Sequence, residues 1–182
     1  SQLYEGGIRE PFLVRWPGVI APGSKPEQLI QNIDYAPTFL DAAGLKTPTE
    51  VQGFSLLSLF KGQTKDWRKS LYYSYYEYGE HRVPQHFGVR TAYHKLIYFP
   101  KSDEWNLFDL QKDPNEMYSV HDATAYATKR VELTQEFHRL REQFDAPSIE
   151  KQQVTLDQTK NHDLGSSRSV RSNSADKLSI PN

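Results

Sequence analysis

Four short runs rich in aromatic and β-branched residues, followed by one long helical stripe, constrain this chain more than any other feature. The runs are Leu71–Tyr78, Phe87–Thr91, Lys95–Phe99 and Trp105–Leu110. Aromatic and β-branched side chains suit a pleated, half-buried surface. Ala92, Tyr93 and His94 form a turn candidate between the second and third runs. Consecutive strands with such short connectors favour an antiparallel meander. The stripe comes after a turn sequence at Lys112–Glu116, in a helix expected over roughly Thr124 to Phe144. Tyr126, Leu133, Phe137, Leu140 and Phe144 are spaced by seven, four, three and four residues. That spacing puts them on one face of a helix, which suits covering a sheet. The expectation is an α+β fold whose second part is a small antiparallel sheet packed on a long C-terminal helix.

The first 61 residues read differently. Phe12–Trp16 is a short apolar run bounded by Pro11 and by Pro17-Gly18, which suits a buried strand. Upstream of it, Glu5-Gly6-Gly7 reads as a glycine-hinged loop. Ile33–Gly44 reads as a short helix with Asp34 as N-cap, Pro37 in the first turn and Gly44 as terminator. Its apolar face would include Phe39, Leu40 and Ala43. The divisions expected are 1–61, 62–146 and 147–182. The last has no aromatic residue and is rich in Ser, Asn, Gln and Lys. It cannot bury enough surface to offset chain entropy of roughly 1–2 kcal/mol per residue, and is expected to be disordered.

Composition removes several functional classes. With 22 basic and 23 acidic residues among 182, there is no basic stripe to suggest nucleic acid as a partner. No apolar run is long enough to span a membrane, so no membrane partner is expected. No secretory leader is visible, and a chain starting at Ser1 in front of a strand candidate has the form of a truncated product. Cysteine is absent. That leaves no disulfide, no thiol nucleophile and no cysteine-derived formylglycine within these residues.

A hydrolase needs a nucleophile, charge stabilisation and often a metal. Ser24-Lys25-Pro26-Glu27-Gln28 comes nearest to an S-x-P-x-R nucleophile motif but lacks the arginine, and reads as a surface turn. Nucleophile-elbow, P-loop and H-E-x-x-H motifs are missing. Asp34, Asp41, Asp103, Asp109 and Asp113 are scattered without Ca²⁺-loop spacing, and Asp34 and Asp109 read as caps or turn closers. No catalytic residue and no metal ligand is therefore assigned. His81 and His86 are the substrate-binding candidates. They share a Pro-containing loop with Arg82, ahead of the strand that carries Arg90. Imidazole and guanidinium groups offer the directed hydrogen bonds and charge that sulfated or polyhydroxylated ligands require. The competing reading is an exposed polar loop. Arg9 fits a structural salt bridge better than substrate contact. In the Tyr72–Tyr78 run, half of the rings must face the core by alternation.

An ordered set of segments resembles the C-terminal part of the formylglycine-dependent sulfatases, in the alkaline phosphatase superfamily. Tyr4–Gly18 resembles Y-E-G-G-x-R-x-P-x-x-x-x-x-P-G. Asp34–Gly44 resembles the D-x-x-P-T-x-L-D-x-A-G helix, and Gly53–Gly62 resembles G-x-S-L-x-x-L-x-x-G. Gly88–Ile97 is similar to G-x-R-T-x-x-x-K-L-I, and Leu107–Glu116 to L-Y-D-L-x-x-D-P-x-E. The form H-x-V-x-x-H-x-G-x-R-T at His81–Thr91 resembles bacterial sulfatases of the N-acetylglucosamine-6-sulfatase or mucin-desulfating type.

The resemblance implies that 1–61 is the truncated edge of a large α/β domain, a strand and a helix without their sheet neighbours. It implies hydrolysis of glycan sulfate esters by the intact enzyme, with a formylglycine residue and Ca²⁺ that this chain lacks. By itself the chain would be inactive. Its partners would be a sulfated glycan and the missing N-terminal catalytic portion of the same protein. The intact enzyme would be periplasmic or secreted. Two other readings stay open. One is a non-catalytic glycan-binding or structural module; the other is a related hydrolase of phosphate or phosphonate esters.

Overall fold

A computed structural model describes residues 3–76 and 83–149. The four strand candidates form one sheet. They are β1 (Ser70–Tyr75), β2 (His86–Thr91), β3 (His94–Phe99) and β4 (Glu104–Asp109). The spatial order is β1-β2-β3-β4 and every pair is antiparallel. The register places Val89 opposite Leu96 and Leu96 opposite Leu107. The β2–β3 turn is tight because Thr91 closes it. Its Oγ1 accepts the His94 N–H at 3.0 Å and donates to the His94 carbonyl at 3.1 Å.

Strand alternation sends side chains to two faces, and both faces are covered. Phe87, Val89, Leu96 and Leu107 meet Leu133, Phe137 and Leu140 of helix α4 (Ala127–Gln143). The stripe read from the sequence is the buried face of this helix, with Tyr126 and Phe144 half-buried at its ends. The helix begins later than expected, because Thr124–Tyr126 forms a separate 3-10 turn. Beyond α4, the Pro147 carbonyl accepts from Arg141 and Ile149 packs against this core. The other face carries Ile97, Phe99 and Phe108, onto which Leu3, Tyr4 and Ile8 fold. The N-terminal segment is thus the third layer of a helix–sheet–segment sandwich.

Three expectations for the N-terminal part change. Glu5–Ile8 is one turn of helix, α1, not an open glycine loop. Phe12–Trp16 forms no strand. Leu13 is 95% exposed, with Phe12 and Val14 also at the surface. A strand needs a neighbour to take its backbone groups, and none of the described residues supplies one. The helix at 33–44 exists as a 3-10 turn (Asn32–Asp34) leading into α2 (Tyr35–Ala42), with Gly44 at φ +69° behind it. Its buried residues are Pro37 and Thr38, while Phe39 is 73% exposed. The face that carries Phe39 meets no apolar layer, so polar anchoring at Asp34 and Thr38 decides which side turns inward. Finally, α3 (Leu57–Phe60) packs beside α2.

Candidate functional site

The site is built where the N-terminal segment crosses the sheet. Glu5 starts α1 and points onto the β2–β3 pair. Its carboxylate accepts a two-pronged contact from Arg90, each prong at 3.1 Å. Lys95 Nζ lies 2.8 Å from the same carboxylate and 2.6 Å from Glu116 Oε1. Both contacts are close but poorly aligned for a hydrogen bond, so the attraction of Lys95 to the two carboxylates is chiefly charge to charge. Glu116 closes the circuit by accepting the Glu5 N–H at 2.5 Å through Oε2. Lys95 is fully buried. A buried cation persists only when paired, and two carboxylates pair it here. Burial tends to raise the Glu5 pKa. The Arg90 hydrogen bonds and the close charges of Lys95 and Arg90 outweigh that and hold it at about 2.

The second anchor is His86. It is 1% exposed, stacked against Tyr73 and Tyr75 at 5.6 and 5.3 Å, with Phe99 also alongside. Its Nε2 accepts the Leu3 N–H at 3.0 Å, so the ring proton sits on Nδ1 and donates to the Pro84 carbonyl at 2.8 Å. Both ring nitrogens are spent inside the chain. Burial pushes the pKa of the ring down, against the pull of the Pro84 hydrogen bond. Leu3 then lands on Gly88. A Cβ at Gly88 would overlap Leu3 Cδ2 and lie 2.5 Å from the Leu96 carbonyl.

A third hub fixes the rest of the N-terminal part. Asp34 is fully buried and receives Arg68 on both oxygens, at 2.6 and 2.9 Å. It also accepts the N–H groups of Gln31 and Phe54, each at 2.8 Å. Thr38 Oγ1 donates to the Asp34 carbonyl and accepts the Leu56 N–H. The Asp34 side chain makes no cap bond to α2, contrary to the N-cap expectation; it accepts the N–H that opens the preceding 3-10 turn and ties that entrance to the segment before α3 and to the approach to β1. Asp109 closes its turn by accepting from the N–H groups of Gln111 and Lys112. The Tyr126 hydroxyl, with help from Lys112 against a smaller burial effect, holds its pKa at about 2.

Other candidates separate. His81 lies outside the described residues, as do Arg82 and His162. Arg9 is exposed and forms no ion pair among the described residues; Glu5, the nearest motif carboxylate, is taken by Arg90 and Lys95. Arg9 instead borders a cleft of about 650 Å³ with Tyr4, Gly6 and Asn115. Ser24 sits in an exposed turn and donates to the Ala21 carbonyl. Tyr72 packs on Phe137 toward α4, while Tyr73 and Tyr75 face His86, as alternation requires.

The family model for the C-terminal region of N-sulphoglucosamine sulphohydrolase matches residues 1–143. The chain belongs to this sulfatase family. As a sulfatase C-terminal domain it is 41% identical to the N-acetylglucosamine-6-O-sulfatase of Bacteroides thetaiotaomicron, over 85% of this chain and 28% of that protein. Its fold matches the structure of BT4656 in complex with its substrate D-glucosamine-2-N,6-O-disulfate. That match has a TM-score of 0.71 and 40% identity, over 74% of this chain and 28% of the other. The phosphonate monoester hydrolase SpPMH from Silicibacter pomeroyi also matches, with a TM-score of 0.61 and 27% identity over 71% of this chain and 28% of that one. The sulfatase domain thus spans under a third of the length of these relatives.

Among the described residues of the domain, no three His, Cys, Asp or Glu side chains come together in a way that could hold a metal ion. The carboxylates that converge, Glu5 and Glu116, are neutralised by Lys95 and Arg90, so the site does not fit Ca²⁺. None of the described helices is long and apolar enough to cross a membrane. The network of Glu5, Arg90, Lys95 and Glu116 escaped the sequence reading, although each residue lies in one of the quoted motifs. The available signal was a lysine in the middle of an apolar strand run, Lys95-Leu96-Ile97, which requires a buried counter-charge.

Proposed function

We propose that this domain forms the substrate-side wall of a sulfatase that hydrolyses 6-O-sulfate esters of N-acetylglucosamine in glycans. The observation that carries the proposal is the 41% identity to an N-acetylglucosamine-6-O-sulfatase across nearly the whole described domain. The geometry is consistent with a positioning role. Glu5, Lys95, Glu116 and Arg90 hold α1 rigidly on the sheet, and His86 holds Leu3, so the backbone entering at the N-terminal end has one defined path. Direct substrate contact is assigned to the loop before β2, with His81 as its candidate and His86 holding Pro84 of that loop. The formylglycine and Ca²⁺ that sulfatases use would come from polypeptide outside these residues. Domain divisions at 61 and 146, and a periplasmic or secreted location for the whole enzyme, belong to the same proposal.

The likeness to SpPMH favours one alternative, hydrolysis of phosphonate or phosphate monoesters. The test is to express the gene product with its upstream coding sequence beside the 182-residue chain. Each is assayed on N-acetylglucosamine-6-sulfate and on an aryl phosphonate monoester. Sulfate release by the longer protein, and none by the chain, is the expected result. Turnover of the phosphonate ester alone would move the assignment to the second class. Saturable glycan binding by the longer protein without turnover of either ester would make the domain a binding module.

A further inference from the structure

We propose that His86 is a positioning residue, a neutral latch whose single free lone pair fixes Leu3 and whose protonation releases the N-terminal segment from the sheet. Three observations carry this. The ring is buried, so its two hydrogen bonds face no competition from water. They are also directional and opposite: Nε2 must accept from Leu3, and Nδ1–H must donate to Pro84. Only the neutral ring with the proton on Nδ1 can do both, because imidazolium has no acceptor. Finally, the Leu3 amide is tied to the sheet through this ring, and its side chain fills the space left by Gly88. One protonation event therefore turns an acceptor into a donor facing the Leu3 N–H. It also leaves Leu3 held by its side-chain packing alone, ahead of the polar tie at Glu5.

Among the described residues, none of the groups packed on the ring is a carboxylate that would favour its charged form. β1 contributes Tyr73 and Tyr75, β3 contributes Phe99, and the N-terminal segment contributes Leu3. On the same sheet face, the cations Arg90 and Lys95 are already matched by Glu5 and Glu116. Burial thus moves the folded pKa below the ordinary 6.5. A base with a depressed folded pKa contributes stability that is complete above the unfolded value. It is lost as pH falls from there through the folded value. The latch is therefore closed at neutral pH and opens on acidification below about 6.5.

The structural claim is independent of the sulfatase reading; only its effect on turnover rests on it. The test compares the wild-type 182-residue chain with His86→Phe and His86→Gln. Phe keeps the aromatic stack without an acceptor, and Gln restores an amide oxygen that can accept. Amide exchange is followed at Leu3 from pH 7.5 to 5, with the central β3 amide of Leu96 as the fold control. In wild type, Leu3 protection beyond the intrinsic pH dependence should fall at least tenfold below pH 6.5 while Leu96 stays protected. His86→Phe should lack that protection at every pH, and His86→Gln should recover it without the pH step. Equal Leu3 protection in wild type and His86→Phe, or no step in wild type, would overturn the latch. In the longer protein, His86→Phe should raise KM more than it lowers kcat, with His86→Gln nearer wild type. Loss of all turnover in wild type would count against the sulfatase reading alone and leave the Leu3 result standing.

Discussion

At the scale of single residues, buried charge is the dominant liability of this domain. Lys95 has no exposed surface, and its neutrality rests on Glu5 and Glu116. Lys95→Met should cost about 3–5 kcal/mol in urea denaturation, because it leaves the buried Glu116 carboxylate without its cation, while Glu5 keeps Arg90. Adding Glu116→Gln should recover part of that loss. A cost below about 1 kcal/mol for the single change would mean that water reaches the carboxylates. Acid should act on the same cluster. Glu5 has its folded pKa lowered from 4.5 to about 2. Its contribution is therefore complete above pH 4.5 and is lost as pH falls toward 2. The melting temperature should drop over that window, and Glu5→Gln should flatten the slope without abolishing it, because Asp109 is held at about 2 as well. Gly88 is constrained by shape. Gly88→Ala would press on Leu3 and the Leu96 carbonyl, at a cost of about 1–3 kcal/mol.

At the scale of elements, α4 and the central strands carry the stability. Phe137 sits at the centre of the helix stripe, with Tyr72 and Trp105 packed around its ring. Phe137→Ala should cost about 3–5 kcal/mol, whereas Val131→Ala on the exposed face of the same helix should cost under about 0.5 kcal/mol. Chemical denaturation of the two variants side by side checks this. A comparable cost at both positions would show that helix propensity rather than the buried stripe holds α4 in place. Hydrogen exchange should divide the chain in the same way. β2 and β3 each pair on both edges, and their amides should approach the protection of global unfolding. Residues 12–16 lack ladder bonds and should exchange at nearly unprotected rates.

For the whole molecule, the two parts differ in what they bury. The sheet has apolar cover on both faces. The N-terminal part instead exposes Phe12, Leu13, Val14, Phe39 and Leu45. Phe12 and Val14 also line a largely apolar cavity of about 450 Å³, between residues 12–30 and 56–60. Surfaces of this kind mark places where another layer packs. On the proposed function, that layer is the remainder of the same polypeptide. The 182-residue chain should therefore bind a hydrophobic dye such as ANS strongly, and the longer protein much less per mole. Equal dye fluorescence from the two would place the missing layer elsewhere.

The four strands and the stripe of α4 were legible from the sequence because their signals are local. Aromatic and β-branched enrichment over short runs marks the strands, and the seven-four-three-four spacing marks one helix face, without reference to any distant residue. The family membership was legible as well, because its motifs occur in order along the chain. Local patterning failed at Phe12–Trp16 and at Phe39. An apolar run states that a segment would bury its side chains, but not whether a partner is there to cover them. The binding candidate His86 shows the same limit. A histidine in a polar loop reads as available, and only the fold shows its nitrogens taken by Leu3 and Pro84. The charge network was out of reach for a related reason: Glu5 and Glu116 meet across a separation of 111 residues. The sequence by itself determined the elements, their order and the family. The tertiary structure decided which faces are covered and which charges pair, because both depend on contacts between residues far apart in the chain.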